Sequence, residues 1–226
     1  MTNISKNASV LSNISNESAS VNKQEPAKKY EFIDDGEYID GHFLTRIRAL
    51  RDFDDVKKGD LGGYIESEEN LSHEGNCWVY NKARVFQNAR VFGNAKIKSF
   101  FVDVYGNAQI YGNAIFEGRT LKDNAKLSGN AHVSNAVVIE GNAKIYDNAR
   151  VTDHAHICDD AVVCDALISG NSYIHSNASL TANEDICDDA YPEFGSEDDY
   201  YRDEYYADCE WYYDDDNDSE YENDAA

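Results

Sequence analysis

No stretch of the 226 residues approaches the ~20 consecutive apolar positions that a membrane-spanning helix needs. The first 20 residues have neither a basic start nor an apolar run, so no signal peptide is visible. Cysteine is scarce and unpaired in pattern: Cys77, Cys158, Cys164, Cys187 and Cys209 are odd in number and contain no C-x-x-C spacing. That fits a reducing compartment better than a disulfide framework. A cytoplasmic protein is the expectation. Basic residues are also few, 20 against 43 acidic ones, for a formal net charge of -23. The deficit is uneven: residues 1–29 carry +2, residues 30–183 carry -7 and residues 184–226 carry -18, with Arg202 the one basic residue of that last segment. A near-neutral body with one acidic end disfavours direct contact between that end and nucleic-acid phosphates, and favours a partner with a basic surface.

What is present is a repeat. Residues 1–29 are a Ser/Asn/Lys-rich stretch without periodicity and read as a disordered arm. Residues 30–76 open with two β-rich runs, YEFI and HFLTRIRAL, around the turn-forming DDGEYIDG, a hairpin-like signal for a capping segment. From Cys77 to 183 a six-residue period takes over. Val79, Val85, Val91 and Ile97 begin a series of eighteen aliphatic positions ending at Ile174 and Leu180. The step is six except for a seven from Ile97 to Val104 and fives from Phe116 to Leu121 and from Val163 to Ile168. A small residue stands two places before most of them, as in Gly141-Asn142-Ala143-Lys144-Ile145-Tyr146.

The unit dictates a shape. Residues two apart in a short strand share a face, so Ala and the aliphatic both point inward. Gly-Asn or Asp-Asn between strands tolerates the positive φ of a sharp corner. Three strands and three corners make one coil, and eighteen units make about six coils, a prism about 29 Å long. The fold expected is therefore all-β: a single-stranded, left-handed, parallel β-helix. A β-sandwich would not keep Asn-Ala at so fixed an interval.

Val91-Phe92-Gly93-Asn94-Ala95-Lys96 resembles the unit of the hexapeptide-repeat left-handed β-helix family, which begins with an aliphatic and has a small residue four places on. Residues 46–85 (RIRALRDFDDVKKGDLGGYIESEENLSHEGNCWVYNKARV) resemble uncharacterised β-helix proteins frequent in phages and prophages and often labelled transferases. The likeness covers roughly 30–182. It implies the fold strongly and an activity weakly, since the transferase label follows the repeat. Hexapeptide acyltransferases use an interfacial His as general base beside a long loop leaving a coil. Here the coils run almost without insertion.

Outward positions stack every third unit. On the third face one column reads Arg90, Gln109, Lys126, Lys144, and its neighbour reads Phe92, Tyr111, Ser128, Tyr146. Cations beside aromatics suit an anionic polymer or acidic protein segment; exposed strands also favour such residues for solubility and β-propensity alone. Among the histidines (42, 73, 132, 154, 156 and 175), His154 and His156 lie near Cys158, which should stack beside His175. Third and fourth metal ligands are not evident, and surface polar residues are the simpler reading. Asp159-Asp160 fall at a corner, where Asp is expected for turn geometry.

The last segment has the least structural excuse. Eight Tyr, Phe194 and Trp211 are interleaved with carboxylates, whereas ordinary acidic disorder is poor in aromatics. Candidate partner-binding residues are Asp198, Asp199, Tyr200, Tyr201, Tyr205, Tyr206, Trp211, Tyr212, Tyr213, Asp214, Asp215 and Asp216, with Arg90, Phe92, Tyr111, Lys126, Lys144 and Tyr146 as a secondary surface. Carboxylates imitate phosphate charge, and Tyr or Trp imitate stacked bases or fill pockets of a basic cleft. A solvating tail and a segment folding back on the solenoid remain open. The expected role is a non-enzymatic scaffold, without catalytic residues, metal or cofactor, acting in a bacterial host cell as a nucleic-acid mimic of the anti-restriction or anti-CRISPR kind. The alternatives are an acyltransferase-like enzyme using His132, His156 or His175, and a structural solenoid that self-associates.

Overall fold

The alternation inside each unit sends an alanine and an aliphatic to the same side, and that side is the interior. In the computed structural model, which describes residues 27–182 and 184–188, Ala83 and Val85, Ala89 and Val91, Ala95 and Ile97, and Ala143 and Ile145 are at most 1% exposed. Short strands stack in parallel into three faces. The first face contains Trp78–Val79, Lys96–Ile97, Ile115–Glu117, His132–Ser134, Arg150–Val151, Leu167–Gly170 and Asp185–Asp188. The second contains Leu61–Ile65, Arg84–Val85, Asp103–Val104, Thr120–Leu121, Val138–Ile139, His156–Ile157 and Tyr173–Ile174. The third contains Arg90–Val91, Gln109–Ile110, Lys126–Leu127, Lys144–Tyr146, Val162–Cys164 and Ser179–Leu180, preceded by a parallel bridge between Leu71 and Val91. The result is a parallel β-helix with one continuous core of Ala, Val, Ile and Leu. Among the described residues there is no α-helix, one 3-10 turn at Glu68–Asn70, and no helix long and apolar enough to cross a membrane.

The solenoid has about seven turns, one more than the period indicates. The additional coil comes from both ends. Leu61–Ile65 already pairs in parallel with Arg84–Val85. Gly63 there takes the place of the usual alanine, because a Cβ on it would lie 2.3 Å from the Ala83 carbonyl oxygen. At the other end Asp185–Asp188 pairs with Leu167–Gly170, with Ile186 opposite Ile168. The ladder therefore begins before Cys77 and continues past 183, into the segment read as acidic tail.

Ahead of the first coil, β1 (Tyr30–Ile39) and β2 (His42–Ala49) form an antiparallel hairpin. Its turn is Asp40-Gly41, with φ of 48° and 85°, the paired positive values of a twist-matched two-residue hairpin. The preceding DDGEYI is strand with a register shift, rather than turn. Strand β2 pairs antiparallel with β3 (Leu61–Ile65), so the hairpin extends the second face. Lys29, expected in a disordered arm, is 0% exposed. Its ammonium donates to the Cys77 carbonyl at 2.8 Å and its chain lies under the cap. Tyr30, also 0% exposed, donates its hydroxyl to the Leu71 carbonyl at 2.7 Å.

The corners have the predicted chemistry and one device beyond it. Gly93, Gly106, Gly112, Gly129, Asp123, Asp147 and Asp159 all sit at positive φ. The asparagines beside them form ladders along the edges of the prism. Asn88 donates to Asn107, Asn107 to Asn124, Asn124 to Asn142 and Asn142 to Asp160, at 2.9–3.1 Å. A second ladder runs Asn94, Asn113, Asn130, Asn148 and Asp165. Each ends at an aspartate because a carboxylate accepts but has no N–H to pass on.

Candidate functional site

The tail residues named above, from Asp198 to Asp216, lie outside the described residues. The secondary surface can be placed. On the third face Arg90 stands opposite Gln109, Gln109 opposite Lys126 and Lys126 opposite Lys144. In the adjoining column Phe92 and Tyr111 stack at 4.9 Å and 1°. Arg90 reaches Glu69 at 3.3 Å, whereas Lys126 and Lys144 have no ion-pair partner among the described residues. Above Lys144 the column turns neutral, with Val162 and Ser179, and Tyr146 faces Cys164. This is a short cationic and aromatic strip.

The second face is different. Its outward positions carry Arg84 and Asp103 in a two-bond ion pair, then Lys122, Glu140, His156, Cys158 and Tyr173. Val138 pairs with His156 and Ile139 with Ile157, so Glu140 and Cys158 stack one coil apart with His156 beside them. Glu140 accepts from His156 Nε2 at 2.9 Å through one oxygen and from Lys122 Nζ at 2.6 Å through the other. Those bonds, from His156 first and then Lys122, hold its carboxyl down to about 2 against the cost of burial. Cys158 is 5% exposed, lies 3.4 Å from the Tyr173 hydroxyl, and burial pushes its thiol above the ordinary range. One donor atom from each of Glu140, His156 and Cys158 falls within 4.8 Å of the others.

The residues weighed from sequence are only partly brought together. His156 and Cys158 join, and His175 lies on the same face but stacks on Tyr173 at 4.9 Å and bonds the Ser176 hydroxyl. His154 is exposed at a corner. His132 sits on the first face and bonds Glu117 at 2.9 Å. Glu140 was missed. It stands 18 residues before Cys158, one coil back, and the same stacking rule that points forward to His175 points backward to it. Asp159 sits at a φ of 56°, the corner conformation expected of it, and its carboxylate also accepts the Ser176 backbone N–H one coil on, at 2.8 Å.

No protein-family model matches the chain. A stretch of 39 residues, 17% of the chain, is 49% identical to a protein of Escherichia coli K12 named uncharacterized acetyltransferase YdcK. The match spans 12% of that protein's length. Repeat, stacked parallel sheets and this local likeness agree on a hexapeptide-repeat β-helix.

Proposed function

We propose that this chain is a non-catalytic β-solenoid scaffold whose acidic, aromatic C-terminal segment binds a basic protein surface. In this reading it is a phage- or prophage-type protein that occupies the nucleic-acid site of a host enzyme. The observation that carries the reading is the regularity of the coils. Cross-coil hydrogen bonds along the corners join residues 17 to 19 apart from Asn88 to Asp160. No coil among the described residues gives off the long loop that would shape a coenzyme or acceptor pocket. Ion pairs join Arg84 to Asp103 and Lys122 to Glu140 on the second face, and Lys96 on the first to Asp54 and Asp55, while residues 184–226 carry 19 acidic residues against one basic.

The test compares three proteins: the full chain, a chain ending at Asp188, and a full chain with Tyr200, Tyr201, Tyr205, Tyr206 and Trp211 changed to Ser. Truncation belongs after Asp188 because the strand Asp185–Asp188 is part of the last coil. Partners captured from bacterial lysate at low and high salt are identified and their binding measured with purified protein. The full chain should retain a basic nucleic-acid-binding enzyme at low salt and lose it as salt rises. The truncated chain should not bind it, and the serine variant should bind weakly although its charge is unchanged. Equal binding by all three sinks the proposal.

A second reading, a hexapeptide-type acyltransferase, is favoured by the local likeness to a protein named as an acetyltransferase and by the His132–Glu117 and His156–Glu140 pairs. Acetyl transfer from acetyl-coenzyme A that disappears when His132, His156 and His175 are all changed to Ala would replace the scaffold reading with this one.

A further inference from the structure

We propose that Glu140, His156 and Cys158 form a binding site for a soft divalent cation of the zinc class on the second face of the solenoid. Carboxylate, imidazole and thiolate are together a donor set suited to zinc. Their backbone is fixed by the stacked coils: Glu140 N–H donates to the Ile157 carbonyl at 3.0 Å and Cys158 N–H to the Ile174 carbonyl at 2.9 Å. Zinc bonds of about 2.0 Å to N and O and about 2.3 Å to S put tetrahedral donor atoms roughly 3.3–3.7 Å apart. The three atoms here lie within 4.8 Å of one another, with His156 Nε2 and Glu140 Oε1 at 2.9 Å. Small side-chain rotations, without movement of the coils, reach that geometry.

Lys122 opposes a nearby cation, yet it bonds the Glu140 oxygen that His156 does not use. It can therefore orient the carboxylate from behind while the other oxygen turns to the metal, as outer-shell partners commonly do. Entry exchanges the His156–Glu140 hydrogen bond for two metal bonds, with the Nε2 proton given up to solvent and the neutral ring keeping its proton on Nδ1. The Cys158 thiol gives its proton to solvent as the S–metal bond forms, so uptake must release protons. Three protein ligands leave a fourth position for a solvent oxygen beside the Tyr173 hydroxyl. The other close grouping, Asp147, Cys164 and Asp165, has no imidazole and is mostly exposed, and serves as the internal control.

The experiment titrates Co2+ and then Zn2+ into the full chain, reading the thiolate-to-cobalt charge-transfer band and the proton release. That band is specific for a cysteine ligand, so carboxylates of the acidic segment do not contribute. One equivalent of Co2+ should produce the band, and Zn2+ should abolish it. The band should survive Cys164→Ser and Cys209→Ser and be absent in Cys158→Ser, with circular dichroism unchanged. Glu140→Gln and His156→Ala should each weaken zinc binding by about tenfold or more, a loss seen even for outer-shell partners. No band in the full chain, a band that persists in Cys158→Ser, or unchanged affinity in both other variants overturns the proposal. None of these outcomes depends on what the C-terminal segment binds.

Discussion

The two ends of the solenoid are finished differently. At the N-terminal end Trp78 is 1% exposed and packs edge-on to Phe53 at 5.4 Å and Tyr30 at 6.3 Å. Lys29 donates to the Glu74, Gly75 and Cys77 carbonyls at 2.8–3.5 Å, and the hairpin of β1 and β2 lies alongside. At the C-terminal end Ile174 is 8% exposed, and Leu180 and Ile186 are only partly buried among the described residues. An open coil exposes apolar residues and unpaired strand edges, and terminal units must cover them. One end does so with aromatics and a buried lysine; the other tapers through a strand, Asp185–Asp188, in which Asp185 and Cys187 are exposed on either side of Ile186. Stability should therefore be graded along the axis, with the last coils opening first.

The largest effect belongs to the sealed end. Trp78→Ala removes its main plug and should cost about 3–5 kcal/mol in urea unfolding; a loss under ~1 kcal/mol would show that the hairpin seals the coil without it. Lys29→Met keeps the stem but strands the carbonyls it serves, for an expected loss of about 1–3 kcal/mol. Wild-type stability there would mean that solvent reaches those carbonyls.

Acid probes both halves. Glu140 titrates at about 2 in the fold and normally at 4.5, so its charged form stabilises the native state. That contribution is complete above about pH 4.5 and disappears as pH falls through 2. Asp55, near the sealed end, is likewise held at about 2 from 3.8: burial alone would raise it, but bonds from Lys96 and Tyr80 outweigh that. It is 46% exposed, so its effect should be the smaller. The melting temperature should fall over this window, and Glu140→Gln should flatten the fall more than Asp55→Asn. An identical pH profile for wild type and Glu140→Gln would contradict the assigned bonds. The smallest effect is expected at the tapering end, where Ile186→Ala should cost below about 1 kcal/mol because its side chain is only half removed from water. A loss equal to that of Trp78→Ala would abolish the contrast between the ends.

The register of the coils was readable because one physical rule repeats: an inward small residue, an inward aliphatic, then a corner that needs positive φ. The irregular steps were readable too, but their consequences were not. The seven-residue step leaves Phe100 and Phe101 59% and 66% exposed at a bulging corner. The five-residue step after Phe116 brings in Gly118, where a Cβ would lie 2.6 Å from the Phe116 ring. The stretch that supplies the first coil reads from sequence as capping segment because Gly63 replaces alanine and the step from Leu71 to Val79 is eight. The last escaped because Ile186 lies among acidic residues.

The sequence by itself determined the period, the inward ladder, the three faces and the concentration of charge at one end, because side-chain alternation and corner geometry are local. Only the tertiary structure decided which outward residues meet. Stacking adds neighbours about 18 residues apart, and whether two of them bond depends on rotamers and competing partners. Lys122 could have paired with many carboxylates; it reaches Glu140, which also takes His156, and so draws a carboxylate into the neighbourhood of Cys158. Lys29 shows the same limit: a lysine in a polar stretch gives no local sign of burial, and its place under the first coil follows from the carbonyls that coil leaves unpaired.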